Sequence, residues 1–308
     1  YVWSKAEVLK IIGAESGELA CAFWGITEHG NFEGSSIPNR PRSDEDVAAQ
    51  FRITPEKMRK TLRTAREKLM AVRSKRVRPL LDDKVLTSWN ALMISAFARA
   101  SRVFNHSEFE RMATRAADFI YNNLFDDSER LLRRWRDGEA RFPAYLCDHA
   151  QLSVACLDLY EATYDPVWFR KAVELSDKIN RLFRNPDGPY YDTGTDGEVL
   201  LTRNAEGYDG VEPSGNSSLA HAFLRLRAYG VAPQYYEDAQ RIFRSFAPHL
   251  EQAGVSFSAM LGGLHFSLSA AKEVVVSGRR GEAETELLLD ELRREYHPNI
   301  VVSFVENG

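Results

Sequence analysis

The sequence predicts a mainly α protein. Paired helices form two concentric layers closed into a toroid, and a small α/β segment follows at the C-terminal end. Three observations carry this prediction. First, helix-length apolar segments at 88–104, 148–164 and 214–229 alternate with one-sided amphipathic segments at 107–125, 167–183 and 235–250. Second, the polar residues ahead of the apolar segments recur at a nearly constant distance: Asp83 to Asp148 is 65 residues and Asp148 to Glu212 is 64. Third, the period changes after residue 271 to strand, helix, strand.

The layering follows from burial. A helix apolar around most of its circumference belongs inside, and one with a single apolar stripe belongs outside. A pair of such helices cannot bury both apolar faces alone, so successive pairs stack on one another.

The bulk properties are those of a globular protein. Of 308 residues, 44% are hydrophobic and 27% charged, which is ordinary. A net charge of -4 gives no global pull toward nucleic acid or anionic membrane, so neither is expected as a partner. No apolar run reaches the roughly 18–20 residues needed to span a bilayer. Cys21, Cys147 and Cys156 form no C-x-x-C, which argues against a disulfide framework or a thiolate zinc site and fits a reducing, cytoplasmic compartment. The chain opens at Tyr1 without an initiator Met and ends at Gly308 just after a strand-like run. The expected organisation is therefore a barrel over 1–271, incomplete at its N-terminal end, and a truncated βαβ tail over 272–308.

The elements follow in order. Ser4 caps a short helix running to Ile12, and 25–44 is an irregular connection rich in Gly, Asn, Pro and Ser. Thr54-Pro55-Glu56 starts a helix with a cap, a proline at the first position and an acid in the first turn. Met58, Leu62, Ala65, Leu69 and Val72 form its apolar stripe. Lys57, Arg59, Lys60, Arg63, Arg66, Lys68, Arg73, Lys75 and Arg76 occupy the rest. They read as a solvated face rather than a polyanion surface, because no stacking aromatics accompany them. Residues 126–145 leave room for a short hairpin. Residues 185–210 are Gly- and Asp-rich, with a strand-like run at 199–201. In the tail, 273–278 and 299–304 read as parallel strands joined by a right-handed crossover through a helix at 282–296.

A toroid gathers the inner-helix N-termini at one end, which brings Asp82, Asp83, Trp89, Asp148, His149, Glu212 and Asn216 toward one another. Asp83 and Asp148 are the candidate carboxylate pair for a glycoside hydrolase, in which one group is protonated and the other ionised. The competing role for both is helix capping or pairing with a nearby Lys or Arg. His221 and His265 are the candidate bases for a sugar epimerase, which takes and returns a proton beside a carbonyl. Trp89 and Tyr191 offer stacking faces to sugar rings. Asn90, His149, Arg203, Glu212 and Asn216 offer hydrogen bonds. The competing role for His221, deep in an apolar helix, is a hydrogen-bonded core residue. Cys147 beside Asp148 and His149 reads as structural, since adjacent helical residues do not face each other. No His, Asp or Glu cluster has metal-ligand spacing, and no cofactor is expected.

Four stretches carry a family resemblance: Tyr1-Val2-Trp3, Asp82-Asp83-Lys84-Val85-Leu86-Thr87-Ser88-Trp89-Asn90, Leu157-Asp158-Leu159-Tyr160-Glu161-Ala162-Thr163, and Glu212-Pro213-Ser214-Gly215-Asn216. Together they resemble the spermatogenesis-associated, thioredoxin-like family with its YyaL-type bacterial members. The resemblance implies a six-hairpin (α/α)6 barrel that follows a thioredoxin-like domain absent from this chain. It also implies kinship of fold with N-acylglucosamine 2-epimerases, cellobiose epimerases and several glycoside hydrolases and lyases. A saccharide is then the expected ligand, and an epimerase-like or hydrolase-like reaction the expected chemistry. The rival reading is a non-catalytic interaction module accompanying the redox domain. No catalytic residue carries over. One departure stands out: Cys147-Asp148-His149 occupies a place where the resemblance leads us to expect a pair of acids.

Overall fold

A computed structural model describes residues 1–269, 271–295 and 297–307. The chain divides into two compact units, Tyr1–Asp82 and Asp83–Gly308.

The first unit is four helices: α1 Lys5–Ile12, α2 Ala14–Phe23, α3 Asp44–Gln50 and α4 Pro55–Arg73. Ser4, Ser43 and Thr54 each accept a backbone N–H of the following turn, so α1, α3 and α4 begin where the sequence places a hydroxyl. Met58, Leu62, Ala65 and Leu69 of α4 are buried in one core with Val8, Leu19 and Val47. Neither α2 nor α3 is legible as a helix in the sequence pattern. Both are short, and α3 consists of three acids followed by four residues of weak periodicity.

The second unit holds the helical hairpins: α5 Thr87–Phe104 with α6 Ser107–Asn123, α7 Leu146–Thr163 with α8 Pro166–Leu182, and α9 Gly215–Ala228 with α10 Gln234–Ala253. A further helix, α11 Ser258–Leu268, follows after a 3-10 turn. Helices α5, α7, α9 and α11 lie side by side in chain order, and α6, α8 and α10 pack outside their partners. This is the inner-and-outer layering expected of a six-hairpin α/α fold. The middle inner helix α7 is buried on nearly every side, with Leu146, Leu152, Leu157 and Leu159 fully enclosed. The outer helices α6, α8 and α10 bury one stripe each.

Before α5 runs the two-residue strand β1 Val85–Leu86, which pairs antiparallel with β2 Leu132–Arg136, and β2 pairs with β3 Glu139–Pro143. This hairpin fills the connection between the first two helical hairpins. The tail is β4 Lys272–Gly278, α12 Ala283–Arg294 and β5 Ile300–Glu306, with β4 and β5 parallel. Val276, Leu289 and Val302 of the tail form a small core with Tyr164 at the end of α7. The strand expected at 199–201 is absent: Val199 and Leu201 are fully exposed, and no neighbouring strand pairs with them. An apolar triplet without a partner strand has nowhere to satisfy its backbone groups except water.

Gly215 sets how closely the inner helices approach. A Cβ on it would lie 2.9 Å from the Cys147 nitrogen and 2.8 Å from Leu146 Cγ. The N-termini of α7 and α9 therefore meet at a spacing only glycine permits. Replacing Gly215 with Ala is expected to destabilise the second unit by about 1–3 kcal/mol through overpacking, read from urea unfolding monitored by tryptophan fluorescence.

Candidate functional site

The inner-helix N-termini do converge, and their acids cap the helices there. Asp148, in the first turn of α7 and fully buried, accepts the backbone N–H of Tyr145 at 2.9 Å and that of Ser88 at 3.0 Å. One carboxylate thus caps α7 and ties it to the start of α5. Arg133 Nη1 of β2 stands 3.3 Å from Asp148 Oδ2, and the guanidinium carbon Cζ lies 4.5 Å from the Tyr145 ring centre. Burial pushes the Asp148 carboxyl up, opposed by Arg133 and the two N–H donors. Asp209 repeats the device, accepting from Ser214 N at 2.9 Å, Ala259 N at 2.9 Å and Met260 N at 3.1 Å, at the starts of α9 and α11.

Asp83 is separate from Asp148. Arg136 Nε forms an ion pair with its Oδ1 at 2.7 Å. Arg133 and Arg136 are three apart on β2, so the two carboxylates attach to opposite faces of that strand. The structure does not bring them together as a facing pair.

The remaining residues singled out by the sequence divide into clamps and open positions. Asn216 is buried and binds Tyr190 through both its N–H and C=O at 2.9 Å, and the Glu206 carbonyl at 2.9 Å. Arg203 donates to the Thr193 and Leu182 carbonyls and stacks over Tyr191 at 4.2 Å. Asn90 donates to the Leu86 carbonyl at 2.8 Å, one turn back. These three fix loops and helix ends. Trp89 is 58% exposed in the first turn of α5. Glu212, just ahead of α9, has a buried Oε2 with no hydrogen-bond partner among the described residues. Burial and the Asp148 charge push the Cys147 thiol up to about 12, so it is not a nucleophile at neutral pH.

His149 is a core histidine. Its Nδ1 lies 3.1 Å from the Tyr145 carbonyl, its ring meets Phe183 edge-on at 5.0 Å, and burial lowers its pKa to about 4. The unfolded chain binds this proton near pH 6.5 and the folded chain only near 4, so stability is full above pH 6.5 and falls as pH drops toward 4. His149→Gln is expected to remove about 3 kcal/mol of that acid dependence, read as a flatter plot of unfolding free energy between pH 6.5 and 4.

The chemically dense region lies further down the inner helices. Asp158 of α7, 3% exposed, accepts Arg225 Nη1 of α9 at 2.7 Å and Arg99 Nε of α5 at 2.9 Å, and also the Ser95 hydroxyl. One turn on, Glu161 accepts Arg225 Nη2 at 3.0 Å and the Tyr229 hydroxyl at 2.7 Å, and it pairs with Arg102. Burial would raise the Asp158 carboxyl, but Arg99 and Arg225 outweigh it and hold the group at about 2. Glu161 is lowered in the same way, its burial outweighed by Arg225 and Arg102.

His221 belongs to this region. It sits one turn before Arg225 on α9, and the charges of Arg225, Arg99 and Asp158 reach it. Its Nε2 lies 3.2 Å from the Ala259 carbonyl, so in the neutral ring Nε2 carries the proton and Nδ1 the lone pair. The Nε2–Cδ2 edge rests against Gly262 and Gly263, where an added Cβ would come within 3.3 Å. Burial lowers the His221 pKa, which keeps the imidazole neutral at pH 7. Arg99 is 59% exposed in its side chain, and beyond its bond to Asp158 it has no hydrogen-bond partner among the described residues. His265 is exposed on α11, three residues past Gly262.

Of this region only His221 stands out from the sequence as a candidate site residue. The signal for the others was the pattern of charges inside apolar helices: Arg99 and Arg102, Asp158 and Glu161, His221 and Arg225, each pair three or four apart. Charges at such positions are buried only when paired, and three helices carrying them at similar depth can pair with one another. Among the described residues no group of three or more His, Cys, Asp or Glu is placed to hold a metal ion, and no helix is long and apolar enough to cross a membrane.

No family model matches the chain. Human spermatogenesis-associated protein 20 is 30% identical over 332 residues, covering 98% of this chain and 42% of the human protein. An uncharacterised protein of Caenorhabditis elegans is 27% identical over 334 residues, covering 99% of this chain and 45% of its own length. The chain thus spans less than half the length of these curated relatives. Among solved structures, D-mannose isomerase superposes with a TM-score of 0.45 at 15% identity, over 79% of this chain and 70% of that one.

Proposed function

The chain is a homologue of spermatogenesis-associated protein 20 along nearly its whole length, and we propose that the inner-helix face of its second unit transfers a proton beside a sugar carbonyl, as a 2-epimerase or an aldose–ketose isomerase does. The observation that carries this reading is His221, held through Nε2 by the Ala259 carbonyl one turn before Arg225, with Arg225 and Arg99 fixed on the same carboxylate of Asp158. Abstracting a proton next to a carbonyl needs a base with a free lone pair and a fixed positive charge near the oxygen that becomes negative. His221 Nδ1 is the base. Arg99 is the stabilising cation, since its Nε is held by Asp158 while its terminal nitrogens remain open to a ligand. Asp158 and Glu161 position the arginines and stay ionised throughout. The His221 imidazolium returns its proton to C1 in an isomerase, or to C2 in an epimerase after the enediolate has turned its other face toward it.

The hydrolase reading has less support. Asp148 has its oxygens engaged by two backbone N–H groups and Arg133, and Asp83 faces away on the other side of β2. In the longer relatives this domain would act beside a thioredoxin-like domain in a cytoplasmic protein, as the family resemblance implies.

The test is solvent exchange. Incubation of the chain with aldoses and their 2-epimers in D2O, followed by proton NMR, is expected to show deuterium entering at C2. Absence of exchange across a panel of mono- and disaccharides would remove the proposal.

A further inference from the structure

We propose that the first unit binds duplex DNA, with α4 as the helix that enters the major groove; this inference is independent of the sugar chemistry assigned to the second unit. Whole-chain charge speaks against such a partner, but the charge is not evenly spread. The stretch from Arg52 to Arg78 holds eleven Lys and Arg and two acids, Glu56 and Glu67, a net +9 in a chain whose total is -4; Glu7 pairs with Arg76 and Asp44 with Arg59 from outside it. That local excess is the electrostatic footprint of a polyanion site.

The connectivity is that of a helix–turn–helix. Helix α3 ends at Gln50 and α4 begins at Pro55, leaving a four-residue turn. Arg52 in that turn is left-handed, with φ 50°, and the Ile53 nitrogen donates back to the Ala48 carbonyl at 3.1 Å. Val47 and Ala48 of α3 are buried with Met58 and Leu62 of α4, which fixes the second helix against the first. Thr54 caps α4, so its N-terminal turn is preformed.

The outward side of α4 carries Lys57, Arg59, Lys60, Arg63, Arg66 and Lys68, all exposed. Arg59 shares Asp44 at 3.5 Å, while the other five make no ion pair among the described residues. At about 100° per residue they spread over the crest and both flanks of the helix, opposite the buried stripe. A helix about 10–12 Å across fits the roughly 12 Å major groove, and flanking cations then meet both phosphate walls.

The same features disfavour other polyanions. Tyr1 and Trp3 lie against Arg73 and Arg76, and no ring meets the six exposed cations of α4 among the described residues, so single strands lack stacking platforms along that face. The deep, narrow major groove of duplex RNA does not admit a helix. The apolar stripe of α4 is buried in the unit's own core, so the helix cannot lie in a membrane interface. The acids Asp44, Glu45 and Asp46 at the start of α3 repel phosphate and confine the contact to α4.

The experiment is fluorescence anisotropy of a labelled 24-base-pair DNA of mixed sequence with the full chain, at salt concentrations from 50 to 200 mM. Five phosphate contacts predict a log–log salt slope of about -4.5. The triple substitution Lys60→Ala, Arg63→Ala, Arg66→Ala is expected to weaken binding and to flatten the slope by about 2.7, with unchanged circular dichroism. Arg111→Ala, Arg115→Ala and Arg170→Ala together, on α6 and α8 of the second unit, serve as the charge-matched control and are expected to change neither. The proposal is overturned by an absence of binding at 50 mM salt, by binding that the triple variant leaves intact, or by equal affinity for heparin, duplex RNA or anionic vesicles.

Discussion

Asp158→Asn is expected to destabilise the second unit by about 3–5 kcal/mol. The reason is what remains behind. Asp158 is buried, and it neutralises Arg225 of α9 while holding Arg99 of α5. Asparagine keeps the shape and removes the charge, so the Arg225 guanidinium, itself buried, loses one of its two carboxylates. Burial alone would lower the Arg225 pKa, and Glu161 and Asp158 reverse that. Urea unfolding reads the loss directly. Asp158→Leu combined with Arg225→Met is expected to recover part of it, because replacing both ends of a buried pair avoids leaving an uncompensated charge. A single variant within about 1 kcal/mol of the parent would mean that the three inner helices are not joined by this network. The pH dependence is separate from that of His149. The Asp158 carboxyl is held at about 2 against 3.8 in the unfolded chain, so its stabilisation is complete above pH 3.8 and lost as pH falls through 2.

Most of the helical architecture was legible because it rests on periodicity. Inner and outer helices differ in how much of their circumference is apolar, and the boundaries of α5, α6, α7 and α9 fall within three residues of the expected ones. What could not be read was which polar groups are engaged by the fold. A carboxylate at a helix mouth looks the same in sequence whether it meets a ligand or a backbone N–H. Asp148 is the example: its partner Ser88 lies 60 residues away, and only the packing of α5 against α7 brings the two together. Arg203 and Asn216 look like ligand groups in sequence for the same reason, and backbone carbonyls of Leu182, Tyr190, Thr193 and Glu206 hold them instead. Helices α2 and α3 escaped notice because two or three turns give too few repeats to establish a period. Conversely, the pairing of Arg99, Asp158 and Arg225 depends on register between three helices, which composition does not encode. His221 was visible as a polar residue in an apolar helix, but its tautomer follows from the Ala259 carbonyl of α11, an element the periodicity did not reveal.

His221→Ala is expected to lower solvent-deuterium exchange into a sugar substrate by about 10²–10⁴-fold, the span typical for loss of a positioned general base. The imidazole meets α11 at the Ala259 carbonyl and beside the two glycines, and melting is expected to shift little by comparison. Two further measurements separate a base from a packing residue. Exchange by the parent should rise with pH through the His221 pKa and level off above it, because the neutral imidazole is the active form. Burial lowers that pKa below 6.5, so the plateau is reached before neutrality. Arg99→Lys should reduce exchange while leaving this pH profile in place, because a lysine keeps the charge but loses the planar fork held by Asp158. His265→Ala, at an exposed position on α11, should leave exchange unchanged. If His265→Ala abolishes exchange and His221→Ala does not, the base is the other histidine and His221 is a packing residue for α11. If both variants exchange like the parent, the inner face is not the site, and the open mouth with Trp89 and Glu212 becomes the place to look.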